Sequence, residues 1–383
     1  MRGKDVIAII VALGVVSLLA DVVYEGGRSV SGPLLSTLEA PAIAAGLIAA
    51  GEVLSYGFRP IGGVVSQKLG PRGPWYVAAA GYAASVVSIP MLALASTWPE
   101  IVALYLLDRA GKGVRAPARD SIIASLSPGI GGPGKAFALH EVLDQAGALA
   151  GPLAVAFIAS GWDLRWALAL LAAPGAACLA ALGYAYRLYS RLGLELPRRE
   201  HRDAGGGLSL YTGLTFIAAS MLAPWPLLSF HMSLGLEPHV ISILYAVAMA
   251  ADALAAVASG YMIDRIGLPS LAPYPLLALA AATLLTLEPG LAPAVASAVL
   301  WGAALGFLES GFKAGVALVE GGSPKGYGLF GFSMGLGLSV GGFVMSGLYE
   351  VNASLVIGYL ALMLLASTIV YLAASKLKPA RRS

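Results

Sequence analysis

Acids and bases recur at helical spacing inside stretches that are otherwise apolar, and these are the residues best placed to do chemistry. Asp21, Glu25 and Arg28 follow one another at i, i+4 and i+7. Asp108, Lys112, Arg115 and Arg119 fall at i, i+4, i+7 and i+11, with Arg109 and Asp120 beside them. His140 and Asp144 stand at i and i+4, Glu141 lies next to His140, and Gly147 and Gly151 continue the same face. Glu52 and Arg59 belong to a further apolar stretch, and the second half of the chain adds Asp252, Glu309 and Lys313. Residues three and four apart share one helix face, so each set forms a stripe. At membrane depth each charge costs about 2.5–3.5 kcal/mol on insertion scales, and such charges persist where they pair with one another or line a polar cavity.

Two kinds of chemistry suit this pattern: binding and releasing a proton, and electrostatic recognition of a charged solute. A carboxylate that loses a cationic partner in a desolvated cavity holds a proton more tightly, so protonation can be tied to a conformational switch. The candidates for substrate binding or proton coupling are Asp21, Glu25, Glu52, Arg109, Lys112, Arg115, His140 and Asp144. His140 has two readings, a member of a proton relay or a ring hydrogen-bonded to a neighbour. Arg59, Arg115, Arg119 and Asp120 have a second reading as buried ion pairs that fix helix contacts. Enzymatic chemistry lacks its parts. The chain has four His and one Cys, and no His-x-x-x-His or Asp-x-x-Asp pair stands at a helix end. No catalytic residue, metal site or cofactor is expected. Cys178 lies in an apolar run and reads as a small buried residue.

The elements that must hold these stripes follow from composition. The sequence is 58% hydrophobic and 12% charged, whereas a soluble domain carries about 25% charged residues. Too few charges remain to cover a water-exposed surface, so most of the surface must face lipid. The 48 glycines suit close packing of helices where no hydrophobic effect separates one apolar helix from another. A net charge of +3 does not describe a nucleic-acid binder. A membrane-spanning helix needs about 20 mostly apolar residues. That rule places twelve, near 6–36, 41–66, 73–93, 98–122, 135–159, 163–188, 209–232, 237–263, 271–287, 290–317, 328–348 and 353–375. The first of these reads as a membrane helix rather than a signal peptide. Trp225, between Pro224 and Pro226, reads either as an apolar substrate contact with Tyr211 or, preferably, as an anchor at the outer interface.

Charge bias orients the spans. Lys68, Arg72, Lys135, Arg187, Arg191, Arg198, Arg199, Arg202, Arg265, Lys325 and the basic tail from Lys376 fall on one side, with Arg2 and Lys4. Glu39, Glu100, Asp163, Glu237, Glu288 and Glu350 fall on the other, with Arg165 alone among bases. The positive side is cytoplasmic, which puts both termini inside and requires an even number of spans. Residues 190–208 are polar and read as a cytoplasmic linker between an N-terminal six-helix bundle, 1–189, and a C-terminal one, 209–383. A repeat supports the division. Gly63-Val-Val-Ser-Gln67-Lys68-Leu-Gly70 closes the second span of one half, and Gly260-Tyr-Met-Ile-Asp264-Arg265-Ile-Gly267 closes the second span of the other.

Residues 260–267 resemble in full the Gly-x-x-x-Asp-Arg-x-Gly motif of the major facilitator superfamily. Residues 63–70, followed by Arg72, resemble it with Gln67 where the family has Asp. Arg109-Ala-Gly-Lys112-Gly113 resembles the family's intramembrane arginine motif, with Lys112 in place of a usual glutamine. Gly147-Ala-Leu-Ala-Gly151-Pro152 resembles the glycine–proline motif associated with its antiporters and marks a hinge in the fifth span. The stretch Asp108–Asp120, with Leu139-His140, Asp144, Gly147 and the Asp21…Glu25 spacing, looks like one prokaryotic branch of the family. The resemblance implies an all-α membrane fold of twelve helices in two pseudo-symmetric bundles, with the first, fourth, seventh and tenth helices lining a cavity. It makes Gly63, Gln67, Lys68, Gly70, Arg72, Gly260, Asp264, Arg265 and Gly267 a cytoplasmic gate. Gly63 and Gly260 would let backbones approach closely, and Gln67, having no charge, would give the weaker latch.

The function expected is secondary active transport of a small solute across the cytoplasmic membrane by alternating access, proton-coupled and directed outward, by a monomer whose partners are the solute, protons and the lipid bilayer. The alternatives are an uncoupled facilitator or an importer of an anionic or zwitterionic metabolite, and, more remotely, a membrane receptor that does not transport.

Overall fold

The computed structural model describes residues 3–126, 129, 133–191, 208–320 and 324–374. Among them the regular structure is helical. The helices are α1 (Gly3–Ser29), α2 (Ser31–Thr37), α3 (Ile43–Lys68), α4 (Gly73–Met91), α5 (Trp98–Leu126), α6 (Pro133–Ala159), α7 (Leu164–Leu170) and α8 (Ala172–Arg191). There follow α9 (Leu208–Met221), α10 (Trp225–Met232), α11 (Pro238–Ile266), α12 (Pro273–Thr283), α13 (Leu291–Gly306), α14 (Lys313–Glu320), α15 (Pro324–Val351) and α16 (Ala353–Ala374). The segment Phe307–Phe312, between α13 and α14, is π-helical.

Each predicted span coincides with one helix or a broken pair, and the breaks have local causes. The stretch 209–232 is interrupted after Met221, because Pro224 takes extended backbone before Trp225 (φ −69°, ψ 138°) and a proline lacks the amide needed inside a helix. Asp163 starts α7 by accepting a 2.8 Å bond from the Arg165 amide. Gly70 and Gly267, the last glycines of the repeated motif, have φ of +78° and +69°. Each ends its helix in the left-handed region that glycine enters at no steric cost.

Nine helical stretches among the described residues are long and apolar enough to cross a membrane. Ala353–Ile369 is a shorter apolar stretch. Trp98–Leu126 is long enough at 29 residues, about 43 Å at 1.5 Å per residue; it stands outside the nine because it carries Asp108, Arg109, Lys112, Arg115, Arg119 and Asp120. Twelve spans are thus not all recoverable from length and apolarity.

The chain divides into two compact units, Met1–Val30 with Leu54–Arg199, and Ser31–Val53 with Glu200–Ser383. Helix α3 therefore contributes its first part to the second unit and its remainder to the first. Within the first unit α1 packs on α6 and α8, and α4 on α5. Glycines set those spacings. A Cβ on Gly147 would meet the Leu18 carbonyl and lie 2.8 Å from the Asp21 Cβ, and one on Gly151 would meet Val22 and Gly26. Gly81 and Gly111 face each other where α4 crosses α5, and Gly113 faces the Ser55 carbonyl of α3. Helix α6 runs unbroken through Gly147, Gly151 and Pro152.

Within the second unit α11 packs on α13 through Gly302 and Gly306, and α9 on α15 through Gly337 and Gly341. The first part of α3 lies on α15. Ser339 Oγ accepts from the Val53 amide at 3.0 Å, and Glu350 accepts from the Ile43 amide at 2.8 Å. Trp225 is fully buried, its ring 4.7 Å from Tyr245 and 5.3 Å from Trp301. The expectation of an interfacial anchor is corrected: the proline break turns this ring into the core of the unit.

Candidate functional site

The charges that α1, α5 and α6 carry at helical spacing come together in one cluster inside the first unit. Helix α1 supplies Ser17, Asp21, Tyr24 and Glu25, α4 supplies Tyr82 and Ser85, α5 supplies the stripe from Asp108 to Asp120, and α6 supplies His140 and Asp144. Asp21, Tyr24, Glu25, Asp108, Arg109, Arg115 and His140 are buried. Lys112, Arg119, Asp120 and Asp144 are half-buried. The glycines described above make this possible, because they bring α4 and α6 near enough for short side chains such as Ser85 to reach the stripe.

The pairing is specific. Arg109 donates to Asp108 Oδ2 from Nε at 2.9 Å, and its Nη2 lies 2.7 Å from the same oxygen. Arg119 pairs in the same way with Asp120, at 2.9 and 2.8 Å. Arg28 lies 3.9 Å from Glu25. Arg115 donates to Ser85 Oγ at 2.6 Å and stacks over Tyr82, its guanidinium carbon 4.7 Å from the ring centre. His140 Nε2 and Ser17 Oγ are 2.7 Å apart, and Ser17 also reaches the Tyr82 hydroxyl at 3.2 Å. His140 is thus tied to a hydroxyl rather than to a carboxylate. Both pairs join sequence neighbours on α5, so Arg119 and Asp120 pair within one helix rather than across a contact between two. Two carboxylate atoms, Asp108 Oδ1 and Asp144 Oδ1, are buried without a hydrogen-bond partner, which is costly for a charged oxygen.

The ring of Tyr24 organises the centre. The guanidinium carbons of Arg109 and Arg115 lie 5.6 and 5.2 Å from its centroid, and Lys112 Nζ lies 5.1 Å from it. Asp21 stands three residues before it on α1. Asp21 has Asp144 and Glu25 as like charges within electrostatic reach and Lys112 as the opposite one. Reading the sequence for charges missed Tyr24, Tyr82, Ser17 and Ser85. A signal for Tyr24 exists: it stands three residues after Asp21 and four before Arg28, on the same stripe.

The remaining candidates lie elsewhere. Glu52 belongs to the second unit's part of α3, and Arg59 is exposed with its guanidinium 4.5 Å from the Tyr56 ring. Asp252 is buried on α11, while Glu309 in the π-helical segment and Lys313 at its end are exposed. A π-helical turn of this kind often accompanies function, and the Tyr211 hydroxyl donates to the Phe312 carbonyl at its edge, at 2.5 Å. Gln67, Lys68 and Arg72 are exposed, Arg265 lies 4.3 Å over the Tyr261 ring, and the side chains of Asp264 and Glu141 lie outside what is described. One expectation is corrected. A Cβ on Gly63 would meet nothing within 4 Å, and one on Gly260 would make only an ordinary 3.5 Å contact with Ser310. The close approach occurs one residue earlier, where Gly62 packs against the Val114 backbone. Linker residues 192–207 and the tail 375–383 lie outside the described residues. Cys178 is buried and its thiol lies 3.4 Å from the Val16 carbonyl.

A multi-pass helical membrane protein with charges gathered at helix depth is the build of a solute transporter, and the comparisons agree. The family model of the Major Facilitator Superfamily matches residues 13–207. An uncharacterized protein of Mycobacterium tuberculosis and one of Mycobacterium bovis are each 37% identical over 388 residues, covering 94% of this chain and 92% of theirs. Among solved structures, the nucleoside transporter NupG superposes with a TM-score of 0.73 at 14% identity, over 97% of this chain and 100% of that one. A D-xylose-proton symporter superposes with a TM-score of 0.66 at 15% identity, over 95% and 97%. The chain belongs to the major facilitator superfamily, and it is a membrane transporter.

Proposed function

We propose that the chain is a secondary active transporter that moves a small solute by alternating access of two six-helix halves, residues 1–189 and 209–383, and that protons drive it. The observation that carries the proton reading is the cluster around Asp21. A buried carboxylate with a second one, Asp144, on the facing helix and Lys112 as its counter-charge is where one proton is held or released as neighbours move. Asp21 is the carrier in this reading, Asp144 its partner and Lys112 the group whose approach or withdrawal sets the proton's affinity. Gly63, Gln67, Lys68, Gly70 and Arg72, with Gly260, Asp264, Arg265 and Gly267, form the cytoplasmic gate. Outward movement is supported by the resemblance of Gly147–Pro152 to the antiporter motif, and both termini face the cytoplasm on the balance of basic residues.

The test is reconstitution into liposomes that enclose a pH-sensitive dye, after a thermal-shift screen against metabolites, drugs and metal chelates at two pH values has supplied a solute. Addition of that solute drives proton movement in the wild type. Asp21→Asn retains solute exchange and loses accumulation against a gradient. An unchanged pH dependence in Asp21→Asn removes Asp21 as carrier, and flux that no pH gradient drives replaces coupling by facilitated diffusion. The observation on the side of that second reading is the excess of cations on α5, which suits an anionic or zwitterionic solute without any proton.

A further inference from the structure

A polar stripe on α3 lies outside the cluster described above. Glu52, Tyr56, Arg59, Gly63 and Gln67 stand at i, i+4, i+7, i+11 and i+15, within an arc of about 80° on a helix of 3.6 residues per turn. Ser55, Gly62 and Ser66 are buried to one side of that arc, where Gly62 packs on the Val114 backbone. The exposed apolar residues Ile61, Val64 and Val65 are centred about 150° away from it. Lipid therefore has its own face of α3, and the stripe is a third face. It is open: Arg59 and Gln67 are exposed, and a Cβ on Gly63 would meet nothing within 4 Å. Arg59 stands nine residues before Lys68 and sixteen after Ile43, the two ends of the helix. At 1.5 Å per residue those distances are about 13 and 24 Å, so Arg59 lies at membrane depth. Among the described residues it makes no ion pair. Its guanidinium carbon lies 4.5 Å from the centre of the Tyr56 ring. A stacked guanidinium keeps the fork of N–H donors in its plane for a carboxylate or phosphate.

We propose that Arg59 is a solute-binding residue, which takes hold of a carboxylate or phosphate group on a water-filled path along this stripe. A charge at membrane depth is kept where it pairs or lines such a path, and Arg59 has an aromatic face beside it instead of a carboxylate. The described residues do not supply its counter-charge; the solute does. Tyr56 sets the plane of the guanidinium, and Gly63, one turn further along, leaves room for the ligand beside it. A lipid phosphate offers the same chemistry, and the experiment separates the two sources. This inference rests on the chain being a transporter and adds the chemical class of group that its solute carries. It does not depend on Asp21 as the proton carrier.

The experiment introduces Gly63→Cys, where a side chain has room, into the full chain held in nanodiscs of neutral lipid that leave both faces open to water. Cys178 is buried, and the protein without the new thiol is the blank. The probes are two water-soluble methanethiosulfonates of opposite charge, one with a sulfonate and one with a trimethylammonium group, each rate taken relative to a free thiol. Gly63→Cys reacts with both, and with the anionic reagent about three- to tenfold faster, the scale of one positive charge a helical turn away. A second change, Arg59→Gln, abolishes that preference, and Arg59→Lys keeps it. Val64→Cys, on the apolar face, reacts more slowly. A Gly63→Cys protein no more reactive than Val64→Cys puts the stripe in lipid and overturns the inference. A preference that survives Arg59→Gln overturns the role of Arg59. Adding phosphatidylglycerol to the disc leaves the preference unchanged; its loss assigns Arg59 to a lipid headgroup and overturns the solute site. In the thermal-shift screen the solutes that raise Tm carry a carboxylate or phosphate, and their shift is lost in Arg59→Gln. Neutral or cationic solutes whose shift survives that change overturn the solute class and leave the reading of Asp21 untouched.

Discussion

Replacing Gly147 by alanine tests whether the spacing of α1 and α6 is what presents Asp21 to the cluster. The new Cβ would overlap the Leu18 carbonyl and stand 2.8 Å from the Asp21 Cβ and 2.9 Å from the Leu18 Cα. Carbon atoms rest at about 3.5–4.0 Å, so the two helices must part by roughly 1 Å. Extra methyl groups in a packed core cost about 1–3 kcal/mol, and alanine recovers about 0.5–1 kcal/mol over glycine in a helix interior. The net loss is about 0.5–2 kcal/mol, toward the upper end because the obstacle is backbone on one side. Gly183→Ala is the control: it lies on α8 with nothing within 4 Å of its would-be Cβ, so only the helix gain remains. Against each other the variants separate by about 1–3 kcal/mol, or some 2–12 °C in Tm at roughly 2–4 °C per kcal/mol for a domain of comparable size. Thermal unfolding of the two purified proteins, followed by circular dichroism in one detergent, reads that difference. A Gly147→Ala protein as stable as Gly183→Ala refutes the claim that α1 and α6 meet through this glycine.

Two further outcomes follow from the same geometry. Lys112→Ala removes the cation nearest the Tyr24 centroid, at 5.1 Å; it is expected to abolish transport of the solute found by thermal shift while the protein keeps its Tm within a few degrees, and full activity in liposomes would take α5 out of the site. Glu350→Ala removes the carboxylate that accepts from the Ile43 amide at 2.8 Å; loss of such a cap costs about 0.5–2 kcal/mol, and faster exchange of the first amides of α3 is the expected readout, with unchanged exchange ruling the cap out.

Much of this architecture is legible in the residues, and the parts that are not have physical reasons. Long apolar runs bounded by Pro, Gly and charge fix where helices lie, since lipid leaves the backbone no other way to satisfy itself. The break before Trp225 is written in Pro224 and Pro226, yet hydropathy averages over it, and an aromatic at that place in a span reads as an anchor at the outer interface. The partition of α3 could not be read at all. It depends on Ser339 and Glu350, nearly 300 positions away in the chain, meeting the amides of Val53 and Ile43. The charges announced themselves by i, i+4 spacing. Tyr24 did not, because an aromatic residue in an apolar helix is ordinary and its cations come from a different helix. Gly63 drew attention through the motif it opens, whereas the tight packing belongs to Gly62, a residue outside the motif.

A helix as polar as α5 is a poor candidate for a membrane span by composition alone, and its survival is explained by how little of its charge is left uncompensated. Arg109 and Arg119 each take the carboxylate adjacent in sequence, Asp108 and Asp120, so those pairs travel with the helix whatever its neighbours do. Arg115 and Lys112 differ: Arg115 bonds a serine and two aromatic rings, and Lys112 lies over one of those rings. Contacts to hydroxyls and ring faces are weaker and less directional than bidentate ion pairs, and exchanging them for water or a solute costs less. The stripe therefore combines two cations that hold a carboxylate of their own helix, Arg109 and Arg119, with two, Lys112 and Arg115, that touch side chains of α1 and α4.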